Sequence, residues 1–125
     1  MMLIKSHKEL EVYKIAFEAA LEIYNISKTF PSEEKYSLTD QIRRSSRSVC
    51  SNIGEAFRKR RYEKHFISKL SDSESEAGET QVWLEFALAH NYISSEVFEN
   101  LDDKYEHIIS MLVKMENNPK PWLLK

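Results

Sequence analysis

From Glu11 to Lys28 the polar residues Glu11, Lys14, Glu18, Glu22, Asn25 and Lys28 recur in steps of three and four. That spacing traces one stripe along a helix. What remains is apolar and falls into two flanks. One carries Leu10, Tyr13, Phe17, Ala20 and Tyr24; the other carries Val12, Ala16, Ala19, Ile23 and Ile26. Together they cover about two thirds of the circumference, whereas a helix on the surface of a lone chain buries one stripe. The pattern predicts a helix over residues 6–29 that is buried on two sides. Either it lies deep in a small bundle, or one flank meets the core and the other meets a second subunit. On the second reading Val12, Ala16, Ala19 and Ile23 are the candidate subunit interface.

Phe30-Pro31 ends this helix, because a residue before proline avoids helical geometry. Ser37 or Thr39 can then cap a second helix over residues 38–60, with Asp40 at its positive end. This helix shows Leu38, Ile42, Ser45, Val49, Ile53, Ala56 and Phe57 at helical spacing. A third helix is expected over residues 62–91: apolar at Phe66, Ile67 and Leu70, polar from Ser71 to Gln81, and apolar again from Val82 to Leu88. Asn91-Tyr92-Ile93 makes the next turn. Ser94 or Ser95 caps a fourth helix over residues 95–116, whose stripe is Phe98, Leu101, Tyr105, Ile108, Leu112 and Met115. Residues 117–125 form a tail. The fold class expected is all-α, an antiparallel up-down-up-down four-helix bundle in a single domain. Folding the second helix back on the third near Arg61 brings Asn52 towards Ser71, Ser48 towards Ser75, Ser45 towards Gly78 and Arg44 towards Glu79. Close helix approach then accounts for Gly78, and the serines form either a buried polar seam or a solvated face.

Composition supports long helices. The 125 residues contain only 2 glycines and 3 prolines, too little punctuation for a β-rich fold. A net charge of -2 does not advertise a nucleic-acid partner, so any such role needs a local basic patch. One cysteine, Cys50, excludes an intrachain disulfide. The N-terminal run Met1, Met2, Leu3 and Ile4 is too short for a signal peptide, and no stretch approaches the roughly 20 apolar residues of a membrane span. A cytoplasmic protein without membrane contact is the expectation.

The run Phe30-Pro31-x-x-Glu34-x-Tyr36-x-Leu38-x-x-Gln41-Ile42-Arg43-Arg44 resembles the signature of the 23S rRNA-intervening sequence proteins, a family of bacterial four-helix bundles. Ser48-Val49-x-x-Asn52-Ile53-x-Glu55 is similar to the family's next block, and Phe66, Glu79-Thr80 and Trp83-Leu84 to its third helix. The likeness spans Leu10 to Leu112. It departs where the family has glycine after the glutamate: here Ala56 follows Glu55, and Gly54 precedes it. The resemblance implies a ring-like homopentamer, no established catalytic activity, and structural roles for Gln41, Asn52, Glu55 and Glu79. A related accessory protein of diversity-generating retroelements is a basic pentamer that binds reverse transcriptase and nucleic acid; this chain is slightly acidic.

Candidate chemistry is sparse. No histidine has a glutamate three residues before it, as a di-iron bundle requires, so no metal and no cofactor are expected. Neither glycine lies in a phosphate-binding Gly-x-Gly context, and no small-molecule substrate is expected. Arg60-x-x-x-x-His65 matches the loose motif of HEPN-type ribonucleases, in which arginine would stabilise a phosphorane while histidine moves protons. Arg43, Arg44 and Arg47 share part of a helical face, and Arg58, Lys59, Arg60, Arg61 and Lys64 cluster at one bundle end. Around a ring that cluster would form a cationic rim for phosphate backbones. The alternative is a solvated helix end neutralised by Glu55 and Glu63. The leading reading is a non-enzymatic homo-oligomeric scaffold; a nucleic-acid-binding accessory protein and a HEPN-like ribonuclease are the others.

Overall fold

A computed structural model of the chain describes residues 4–124. Met1, Met2, Leu3 and Lys125 lie outside the described residues, and with them most of the apolar run weighed against a signal peptide. Four helices carry the chain: α1 (Glu11–Ser27), α2 (Leu38–Arg58), α3 (Glu63–Ala89) and α4 (Ser95–Asn117). Short 3-10 turns lie at His7–Glu9, Ser32–Glu34 and Lys120–Trp122.

Local chemistry sets the ends. Ser6 and Glu9 close a capping box on the first turn, the Glu9 carboxylate accepting from Ser6 N at 2.9 Å. Leu10 is extended, so α1 begins at Glu11 and the helix expected from residue 6 is interrupted there. Ser37 sits at the N-cap of α2 but its side chain does not cap the helix. Glu34 does so instead, accepting from Leu38 N (3.3 Å), the Ser37 hydroxyl (2.6 Å) and the Tyr92 hydroxyl (2.9 Å). These bonds hold its carboxyl below the usual range, the Ser37 bond contributing most. Asn91, at φ 63°, ends α3 in the left-handed region, and Tyr92 N reaches back to Ala87 O at 2.8 Å. Ser94 caps α4 by accepting from Val97 N.

The helices surround one core, with α1 packed on α2 and α4, and α3 on α2 and α4. Partners rise along one helix as they fall along the next. Across α2 and α3, Glu55 meets Lys69 (2.7 Å), the Val49 carbonyl meets Ser73 (2.8 Å), Ser48 meets Glu76 (3.1 Å), and Ser45 meets Thr80 (2.8 Å). Arg44 lies across from both Glu76 and Glu79. This is the antiparallel register read from the sequence, to within one or two residues. The serines form a buried seam: Ser45, Ser46, Ser73 and Thr80 are all buried, and each hydroxyl has a partner. Close approach does not account for Gly78, since a Cβ there would meet nothing within 4 Å. On α4, Leu101, Tyr105, Ile108, Leu112 and Met115 are buried as the stripe predicts. In the tail, Trp122 and Leu123 pack on the core, and Leu124 N donates to Arg60 O at 3.3 Å.

No described helix is long and apolar enough to cross a membrane.

Candidate functional site

The two flanks of α1 separate sharply. Val12, Ala16, Ala19 and Ile23 are at most 1% exposed within the single chain, so they are not a subunit interface. They fill the bundle core, because α2 and α4 close over that side of α1. The open side takes in part of the other flank: Phe17 and Tyr24 are 47% and 38% exposed, joined by Leu21, which the pattern placed on neither flank, at 51%, while Leu10 is buried. Beside them α2 offers the small residues Cys50, Ser51 and Gly54 along with Arg47, and the two helices leave an apolar groove of about 520 Å³. Ala20, Cys50, Ser51 and Gly54 line it along with Tyr13, Phe17, Leu21 and Tyr24. A Cβ on Gly54 would meet nothing within 4 Å, so nothing inside the chain fills that position. Tyr13 and Phe17 stack at 5.9 Å along one end of the groove. Arg43 and Arg47 reach over the Tyr24 ring at 4.5 and 5.5 Å, giving the other end a cationic rim.

A second apolar surface lies on α3, where Val82 and Phe86 are 43% and 48% exposed. Trp83 is half-buried beside them, its ring 6.1 Å from that of Phe86, and Phe86 continues onto His90 at 6.2 Å. Acid flanks this ridge. The Asp102 carboxyl of α4 is held above its usual range by burial first, then by Glu106 and Asp103, with a last contribution from the exposed Glu85. The sequence marked residues 82–88 as apolar without separating the exposed positions from the buried Leu84 and Ala87.

The basic residues form two patches, as their spacing suggests. Arg43, Arg44 and Arg47 lie 11–15 residues before Arg58, about 16–22 Å along α2. Lys35, Tyr36 and Asp40 complete their shallow concavity. Only one of these charges is paired among the described residues: Arg44 meets Glu76 (3.3 Å) and Glu79, whereas Arg43 donates to the neutral Ser27 Oγ at 2.7 Å. Those acids hold the Arg44 guanidinium above its ordinary value. At the α2–α3 corner, Arg58, Lys59, Arg61 and Lys64 are exposed and have no ion-pair partner among the described residues. Glu55, expected to neutralise them, pairs with Lys69 instead. Arg60 stands apart from the others. Its guanidinium lies 3.7 Å over the Phe57 ring and donates to Phe57 O (2.9 Å) and Ile4 O (3.4 Å). His65 tilts against Tyr62 at 5.6 Å, and no hydrogen bond joins it to Arg60 among the described residues.

The motif residues hold α2 in place. Gln41 Oε1 accepts from Arg44 Nε (3.4 Å), and Asn52 donates to Ser48 O (2.9 Å). Glu55 bridges to α3, and Glu79 accepts from Trp83 Nε1 at 3.2 Å as well as from Arg44. Cys50 is 9% exposed, and burial pushes its thiol up to about 11, which makes it a poor nucleophile. Tyr105 is fully buried and its hydroxyl finds no partner. Glu116, desolvated and facing Glu74, is pushed up to about 7. No group of three or more His, Cys, Asp or Glu among the described residues could hold a metal ion.

No curated protein matches the chain. Among solved structures, it is similar to a protein of unknown function from the S23 ribosomal protein family of Bacteroides thetaiotaomicron. The two share 31% identity over 86% of this chain and 96% of that one, with a TM-score of 0.78. The family model described as 23S rRNA-intervening sequence protein matches residues 8–114, and the chain belongs to that family.

Proposed function

We propose that this protein is a non-enzymatic homo-oligomeric scaffold, with five copies the number that its family resemblance implies. The observation that carries the reading is the exposed flank of α1, with Phe17, Leu21 and Tyr24 beside a groove floored by small residues. A lone chain would hold that apolar surface in water, and a monomer has no use for it. Light scattering tests the reading: a mass of several chains at micromolar concentration is expected, and a monomer throughout overturns it.

A second reading is favoured by one feature. Four unpaired cations at the α2–α3 corner suit an acidic polymer, and around a ring they would repeat as a rim. Retention of RNA or DNA in low salt, lost when Arg58, Lys59, Arg61 and Lys64 are reversed to glutamate, is the expected result. Equal retention by the reversed protein removes this reading.

A further inference from the structure

Two apolar surfaces lie open on this molecule, and the helices that carry their exposed side chains, α1 and α3, are not neighbours in the bundle. The groove runs along α1 and α2; the ridge of Val82 and Phe86 stands on α3, diagonal to α1. They differ in shape. The groove is concave with a floor of Ala20, Ser51 and Gly54, while the ridge is convex, two large side chains one helical turn apart beside Trp83. They also differ in charge. Arg43 and Arg47 rim the groove, whereas Glu85, with Asp102 and Asp103 behind it, flanks the ridge. Glu85 has no ion-pair partner within the described residues. Two grooves face to face would oppose arginine to arginine, and two ridges would oppose acid to acid. Groove against ridge matches concave to convex and cation to anion.

We infer that copies of this chain join head to tail, the Val82–Phe86 ridge of one protomer seated in the α1–α2 groove of the next. The inference rests on the oligomeric reading and adds to it the two surfaces and the polarity of the contact. Gly54 then has a role that the single chain does not give it. A glycine inside a helix costs about 1 kcal/mol relative to alanine, and at the groove floor it leaves room for an incoming Phe86 ring. Because the two surfaces are different, a docked pair leaves one groove and one ridge free. Such a contact propagates until it closes on itself as a ring.

Mixing two broken chains tests the polarity. Leu21→Asp spoils only the groove and Phe86→Asp only the ridge. Both positions are about half exposed, so both variants should fold; Phe17→Asp and Val82→Asp repeat the test if either does not. Light scattering should give the wild type a mass of several chains, each variant alone the mass of one, and the equimolar mixture the mass of two. The mixed dimer forms because the Leu21→Asp chain keeps its ridge and the Phe86→Asp chain keeps its groove. If Phe86→Asp alone assembles like wild type, the groove pairs with itself and this inference fails while the scaffold reading stands. The same holds if both variants assemble, or if the mixture stays monomeric while the wild type does not. A monomeric wild type overturns both.

Discussion

The two flanks of α1 are equally apolar in sequence and opposite in use. On the inner one, Val12, Ala16, Ala19 and Ile23 are sealed by α2 and α4; on the outer one, Phe17, Leu21 and Tyr24 stand beside an open groove. The difference lies in size. Two alanines on the inner flank let neighbouring helices come close, and a bundle core demands that closeness. The outer flank carries an aromatic at each end, side chains with large area to bury against something that arrives from outside. Hydrophobicity says that a residue wants cover, and side-chain bulk says more about whether the cover belongs to the same chain.

Five substitutions can break or sharpen that contrast. The largest effect belongs to the inner flank: Ile23→Ala should cost about 2–5 kcal/mol in urea unfolding, because the packed core collapses only partly around the cavity. An effect under about 1 kcal/mol would put Ile23 outside the core. Next comes a half-buried contact that is unfavourable at neutral pH. Glu116 has a folded-state pKa above the ordinary carboxyl value, so its protonated form is the one that suits the folded chain. Its contribution is therefore full in acid, below about pH 4, and fades as pH rises through about 7. Glu116→Gln should raise stability at pH 8 by up to about 1 kcal/mol, since water still reaches the pair, and by much less at pH 5. A gain that is the same at both pH values would refute the assignment.

The glycines give a smaller, more pointed comparison. Gly78→Ala should stabilise the chain by about 0.5–1 kcal/mol, since a Cβ there meets nothing. Gly54→Ala should add a similar amount in dilute protein and weaken assembly, whereas Gly78→Ala should leave assembly alone. Identical behaviour of the two in light scattering would count against the groove. The smallest expected effect is on the outer flank. Leu21→Ser should change the unfolding free energy of dilute protein by no more than about 0.5 kcal/mol. It should also remove the rise in Tm with protein concentration that an assembling wild type shows.

Much of the fold was legible because few residues punctuate the chain. Phe30-Pro31 and Asn91 mark two of the turns, and the α4 stripe is buried from Leu101 to Met115, with Phe98 at its start half-buried. The α2–α3 register followed from a single assumed corner, and Arg44 meets Glu79 as that register requires. What periodicity could not do was choose between the flanks of α1, because helical spacing is blind to which side its neighbours take. The cap on α2 was hidden for a related reason. Glu34 lies four residues before the helix and reaches it only because the Ser32–Glu34 turn folds back, whereas Ser37 and Thr39 stand where a capping side chain usually sits. The basic residues fall into two groups in the sequence as in the fold, but spacing does not show which of them are engaged. Length along α2 divides them, and ion pairs and ring stacking take up Arg43, Arg44 and Arg60.

Cys50 has a practical consequence. Its thiol is shielded and held almost wholly protonated near neutrality, so maleimides and similar reagents should ignore it. The natural protein is thus ready for site-directed labelling: a cysteine introduced at Ser95 on α4, or in place of Tyr36, would be its one reactive thiol. Paired dyes on neighbouring copies could then report spacing and stoichiometry by energy transfer, without first stripping the native sulfur from the chain.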